Sequence, residues 1–379
     1  MASTITVEPV RGRMDRRRFL HFPWKVYRGE FGYYEAWVPP LLADEKHNLN
    51  ERKNAFYRHS DVEHFLARQD GKVVGRVSAI LDHSFNKHNG TNTGFFGFFE
   101  APEDRQISDE LLGTVESWLR HNQVENMIGP VNLSTNHIIG ALMNDYENPP
   151  VVQMAYNPPY YPVLFEQFGM TKHKDLYSYR LSTETLDLSG KIARVQDIAR
   201  RRNRIVMRNL SIKRDWHWVV PTIRGIYNEA WSRNWGFVPW TEEEFNELAE
   251  DLRMIVDEEL VLVATIDDEP VAFAIAMPDI NLILHRMNGR LFPTGIFKLL
   301  AGKKKLDSIR VAAMGVRPRH HNKGLDAVLI YELWTRGTAK GIYRGDFSWI
   351  LEDNLDLRNL LESWGTEHYR THRVFGKEL

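Results

Sequence analysis

Two unrelated segments of this chain recur at one spacing, and that repeat limits the possible architectures more than any single motif. A hairpin signal surrounds Ala67: an apolar-rich run from His64, the turn pair Asp70-Gly71, then Val73 to Ile80. A second lies 197 residues on, around Ala264: Leu260 to Ile266, then Asp267-Asp268-Glu269-Pro270, then Val271 to Met277. Tight hairpin turns need positive φ, which Gly and Asp tolerate, so both read as antiparallel pairs. Asn157 and Asn354 stand at the same spacing of 197 residues. Each precedes a short helical stretch ending near a glycine, Gly169 or Gly365, and then a strand-like run. Two independent matches at one offset argue for a tandem duplication. The expected domains are 1–185 and 186–379, joined through the polar stretch Ser182–Gly190.

Composition removes several chemistries. The chain has no cysteine, so it holds no disulfide, no thiolate metal site and no cysteine nucleophile. With 49 Lys+Arg against 50 Asp+Glu, nothing in the total charge calls for nucleic acid or an acidic partner. The N-terminus lacks the apolar core of a signal peptide, and no apolar run reaches the ~18–20 residues a membrane span needs. A cytoplasmic protein is expected. Charge is nonetheless uneven. Arg16-Arg17-Arg18 leads into Phe19-Leu20-His21-Phe22-Pro23-Trp24, which fits a solvated charge run beside a packed segment, or contact with an anionic ligand or membrane surface. Lys191 to Arg224 carries ten Lys/Arg against two Asp, read as a solvated face rather than a nucleic-acid site. His368 and His372 have metal-like spacing without an acidic third ligand, so no metal is expected.

The second half predicts the order β-α-α-β-β-β-α-β-α-β, an α+β fold on one mixed sheet. Thr241 followed by Glu242-Glu243-Glu244 marks a helix start, where carboxylates suit the exposed amides and the positive dipole end. The segment Met314-Gly315-Val316-Arg317-Pro318-Arg319-His320-His321-Asn322-Lys323-Gly324-Leu325-Asp326 runs from strand through a basic glycine-containing loop into a helix. Such a turn aims backbone amides at one point, which suits a pyrophosphate.

In position and order this segment resembles the acyl-CoA loop of the GNAT (Gcn5-related) N-acyltransferase superfamily. The superfamily pattern Arg/Gln-x-x-Gly-x-Gly/Ala falls on His321, Gly324 and Asp326, so only the central glycine is kept. Arg317, Arg319 or Lys323 would supply the missing charge. The superfamily's Asn-x-x-Ala-x-x-Leu-Tyr-x-x-x-Gly falls on Asn354, Leu357, Leu360, Leu361 and Gly365. The resemblance implies that Asn354 bonds the pantetheine arm and that the usual acid tyrosine is replaced by Leu361, leaving Tyr369 as a substitute. It also implies that Asn234, Trp235, Phe237 and Trp240 line the acceptor. Acyl transfer needs a base, and Glu352 and Asp353, beside Asn354, are the candidates, ahead of Glu332 on the loop helix; the alternative for Glu352 is a solvated carboxylate at a helix start. The first half resembles a degenerate copy, because acidic Ala101-Pro102-Glu103-Asp104 replaces the phosphate loop.

More widely, the run from Phe22-Pro23-Trp24-Lys25-Val26-Tyr27 through Phe95-Phe96-Gly97-Phe98-Phe99-Glu100 to Asn157-Pro158-Pro159-Tyr160-Tyr161 is similar to a bacterial family of tandem-GNAT proteins and resembles bacterial ceramide synthases. This implies two GNAT-like domains, each a mixed, mostly antiparallel twisted sheet flanked by helices. The implied activity is direct transfer from acetyl-CoA or a longer acyl-CoA to an amine, in a small molecule or a lipid such as a sphingoid base. The alternatives are a non-catalytic GNAT-fold binding protein, or an aminoacyl transferase that would require tRNA. The apolar-then-basic insert Asn288–Lys305 suits an apolar acyl chain, a membrane face or a surface helix closing the core. Oligomeric state is not legible from the sequence.

Overall fold

The computed structural model describes residues 4–184, 190–253, 255–290, 295–303 and 305–379. Part of the expected junction (185–189) and part of the insert (291–294 and 304) lie outside the described residues.

The two hairpins form as their turns dictate. Strands Ser60–Gln69 and Lys72–Asp82 pair antiparallel through Gln69↔Lys72, with Asp70 and Gly71 at φ 49° and 75°. Strands Val261–Ile266 and Glu269–Pro278 pair through Ile266↔Glu269, with Asp267 and Asp268 at 49° and 64°. Two consecutive left-handed residues give the turn twist that matches flanking strands.

The chain divides into two compact units. The first comprises residues 1–176, Asn281–Ile296 and Arg370–Leu379; the second comprises Tyr177–Ile280 and Phe297–Tyr369.

In the first unit the sheet runs in the order Ile5–Pro9, Ser60–Gln69, Lys72–Asp82, Thr93–Glu100, Asn126–Gly129, then the last residues of the C-terminal strand. Only the Thr93–Glu100/Asn126–Gly129 step is parallel. Helix Arg105–His121 bridges that step. Its Asp104 cap accepts from the Gln106 and Ile107 amides, and Leu111, Leu112, Val115 and Leu119 face the core. Helices Gly12–Arg28 and Leu42–Asn48 precede the first hairpin.

In the second unit the order is Tyr177–Ser182, Arg344–Leu351, Ser308–Val316, Glu269–Pro278, Val261–Ile266, Ile205–Arg208. Helix Leu325–Ala339 bridges the parallel step between Ser308–Val316 and Arg344–Leu351, burying Leu325, Val328, Leu329, Leu333 and Trp334. Helices Ile212–Ala230 and Glu242–Leu252 pack with Val261, Val263 and Phe273. The expected start at Thr241 is a full capping box with Glu244. Both units therefore have the α+β architecture that the sequence order predicts: a mixed sheet flanked by helices.

Candidate active site

In each unit one parallel strand pair opens into a wedge, and the two wedges differ. In the second unit the last pair is Val311↔Phe347. Beyond it, residues 312–316 and 348–351 are not paired to each other. On the other edge the register skips Ala312, because Ile275 pairs with Ala313 and Ala276 with Val311. Ala312 is thus left out of the ladder at the apex of the wedge. Bulges are common beside active sites, where they end pairing or re-aim a side chain.

In the first unit the last pair is Phe95↔Ile128. Here the chain closes its own wedge. The Phe98 amide donates to Asn132 Oδ1 (2.8 Å), and a Cβ on Gly97 would lie 1.9 Å from the Val131 carbonyl. Gly97 is needed because the returning backbone occupies the space a side chain would take.

Below the second unit's wedge sits a polar cluster that sequence reasoning did not find, apart from Tyr369. The Tyr369 hydroxyl donates to Asp346 Oδ2 (2.6 Å), and Ser348 donates to the other carboxylate oxygen. Arg310 bonds Ser348 through Nε (3.2 Å) and Nη2 (3.0 Å, to the carbonyl). Arg310 and Asp346 are cross-strand partners, only 4% and 5% exposed. Burial pushes Arg310 down to about 10, while the carboxylates of Asp346 and Asp279 and the Tyr369 phenol pull it back up. It stays cationic at neutral pH, because an isolated buried charge would cost far more than this compensated one. The Arg180 guanidinium lies 4.2 Å from the Tyr369 ring centre. The sequence signal was present: Arg310 and Asp346 each interrupt an apolar strand.

The remaining sequence-expected residues are placed as follows. Strand residues Met314, Gly315 and Val316 pair with Ala274, Phe273 and Ala272, and the Met314 carbonyl accepts from the Trp231 indole (3.0 Å). Arg317 is ion-paired with Glu229 and donates to the Pro270 carbonyl; Arg319 is ion-paired with Glu269. His321 bonds the Val316 carbonyl through Nε2 (3.1 Å), and Lys323 Nζ lies 3.0 Å from His320 Nδ1. Burial holds His320 below its usual range, helped by Lys323, Arg319 and Arg317. Asn322 (φ 62°) and Gly324 (φ 73°) turn the chain into the helix that begins at Leu325 and Asp326. Gly324 is also a close-approach site, since a Cβ there would lie 2.8 Å from that of Ala199. The same helix, Lys191–Asn203, holds the loop through Asn203 Nδ2 to the Lys323 carbonyl (3.0 Å) and Arg200 to Glu332 (2.5 Å).

Asn354 caps helix Leu355–Glu362 by accepting from the Leu357 amide (3.3 Å). Among the described residues its side-chain nitrogen has no hydrogen-bond partner. Glu352 is half-buried in the preceding turn, its carbonyl accepting from Arg358 (2.5 Å). The four expected acceptor residues separate. Phe237 and Trp240 are core residues packed with Tyr227 and Phe245, whereas Asn234 and Trp235 are half-exposed. Among the described residues no three His, Asp or Glu side chains gather as a metal site.

The tandem α+β units have the fold of solved GNAT proteins. The tandem GNAT protein of the clavulanic acid biosynthesis pathway superposes with a TM-score of 0.56 at 12% identity, over 99% of this chain and 98% of that one. A probable N-acyltransferase of Enterococcus faecalis V583 superposes at 0.51 and 11% identity, over 99% and 73%. No protein-family model matches the chain. It is 31% identical over 372 residues to Protein YghO of Escherichia coli K12, spanning 96% of this chain and 93% of that protein. It is 32% identical over 390 residues to the bacterial ceramide synthase of Caulobacter vibrioides, spanning 99% and 98%. The chain belongs to the family of these two proteins.

Proposed function

We propose that this protein is an acyl-CoA-dependent N-acyltransferase whose donor site is the wedge of the second unit, and that it transfers a long acyl chain to a sphingoid-type amine. The observation that carries this reading is the contrast between the wedges: one is filled by its own backbone, the other opens over a polar cluster. The ceramide synthase relative supports the choice of acceptor. So does helix Gly295–Lys303, which leaves Phe297 71% and Leu300 53% exposed, as an apolar substrate would favour.

In this reading the pantetheine arm lies between residues 312–316 and 348–351. The side-chain nitrogen of Asn354 donates to it, and the amides of 322–325 meet the pyrophosphate. In this reading an amide at the Ala312 bulge polarises the thioester carbonyl, as a preorganised donor does for a developing oxyanion. The Tyr369 hydroxyl donates to Asp346, and in this reading its oxygen is the acceptor for the amine. An amine that donates to that oxygen can pass a proton through it to Asp346. The amine nitrogen attacks the thioester carbon, a C–N bond forms, the C–S bond breaks, and the thiolate leaves as CoA. Holding both partners in line supplies up to ~7–11 kcal/mol of barrier reduction. Glu352 is the second candidate base.

Release of free CoA from palmitoyl-CoA, followed with and without a long-chain amino alcohol, tests the proposal. Amine-dependent release and an amide product are expected. Binding of palmitoyl-CoA without release would leave the non-catalytic reading, which the ion-paired Arg317 and Arg319 favour. No binding would end both.

A further inference from the structure

The first unit carries a second feature that acyl transfer does not use. Helix Gly12–Arg28 places Arg13, Arg16, Arg17 and Leu20 at i, i+3, i+4 and i+7, hence on one face. That face and Lys46 and Leu49 of the neighbouring segment line a cleft of about 540 Å³. Leu20 and Leu49 are buried at its floor, while the arginines are exposed along its walls. Arg16 is tied to Glu51 (3.2 Å). Nearby Asp15 is taken up by Arg18 (3.0 Å) and Arg68 (2.6 Å). Among the described residues Arg13, Arg17 and Lys46 have no acidic partner. The field they make is felt next door: burial first, then Arg17, Lys46 and Arg290, hold His21 below its ordinary range.

Three unopposed cations around an apolar floor attract an anion, because a concave wall of low dielectric concentrates their field. We propose that this cleft binds a phosphate group carried on an apolar stem, the phosphate met by Arg13, Arg17 and Lys46 and the stem by Leu20 and Leu49. Arginine forks suit phosphate oxygens because two N–H groups align with two acceptors. The ligand is either a lipid headgroup at a bilayer or a soluble phosphate ester, and these differ in how they are presented. The site lies wholly in the first unit and does not depend on the donor-site assignment.

The full chain is tested against phosphatidylglycerol vesicles, phosphatidylcholine vesicles and soluble hexyl phosphate, by co-sedimentation and calorimetry. Two variants are compared with it: R13Q/R17Q/K46Q, and a charge-matched control on other exposed positions, K72Q/K87Q/R120Q. The cleft variant is expected to lose binding on the order of 100-fold at three contacts, the control less than threefold. Circular dichroism confirms that both fold, which their exposed positions allow. Cleft-dependent binding to phosphatidylglycerol but not hexyl phosphate identifies a headgroup site, the reverse identifies a soluble ester, and binding of both supports the phosphate-and-stem site for either source. The proposal is overturned if neither probe binds, or if both variants weaken binding equally.

Discussion

Tyr369 shows how one side chain acquires a role from its surroundings. Alone on a strand it is an ordinary half-buried aromatic; with its proton committed to Asp346 it is the residue we propose as the acceptor for the amine proton. Y369F is expected to lower kcat by about 10²-fold with little change in KM for the acyl-CoA, because a positioned proton acceptor contributes roughly 10²–10⁴-fold. Steady-state kinetics checks this, and an equal rise in KM would instead indicate a binding role. His64 provides a separate test through stability. It is buried, bonded to Ser78 Oγ (2.7 Å), and burial pushes it down to about 3. The unfolded chain, with an ordinary histidine, binds the extra proton below pH ~6.5. Unfolding free energy should therefore fall as pH drops from about 6.5 toward 3, by on the order of a few kcal/mol. H64Q should flatten that slope in urea titrations, and an unchanged slope would rule out this histidine as its source. Neither the Tyr369–Asp346 nor the Arg310–Asp346 pairing could be read beforehand, since these partners stand 23 and 36 positions apart in the sequence.

The loops and caps were more legible, because their geometry is local. The hairpin turns, the Thr241 capping box and the helix after Gly324 all form as their residues predict. Local pattern did not reveal what the loop cations do. Arg317 and Arg319 spend their charge on Glu229 and Glu269, which come from other elements. Asn354 can be resolved into its two functions. N354D keeps the oxygen that caps the helix and loses the donor, so a raised KM for acyl-CoA at unchanged thermal midpoint is expected. N354A should lose both, at a cost of about 1 kcal/mol for the cap. If N354D leaves KM unaltered, the pantetheine contact is wrong. G324A forces a side chain into a left-handed position and against Ala199, so it should destabilise the chain and loosen helix Lys191–Asn203. Hydrogen exchange confined to that helix would report it.

For the molecule as a whole, two copies of one fold need not mean two working sites. One wedge is closed by Val131 and Asn132, so calorimetry should find one acyl-CoA per chain. Donor at 100 times Kd should stabilise the protein by about 2.7 kcal/mol. Two equivalents would overturn the single-site assignment. N132A should leave the donor-induced thermal shift of the full chain in place.

The repeat at 197 residues, the periodicity of the helices and the turn chemistry sufficed to specify an α+β fold used twice, because these depend on residues near each other in sequence. Among the described residues no helix is long and apolar enough to cross a membrane, consistent with the hydropathy of the chain. Two matters lay beyond that reach. The compact units exchange segments: Arg370–Leu379, at the end of the second repeat, completes the first unit's sheet, with Phe375 opposite Gly129. The polar cluster of Arg310, Asp346, Ser348 and Tyr369 assembles from three strands. Both are long-range pairings, set by burial and register across the folded sheet, and no local pattern of residues encodes them.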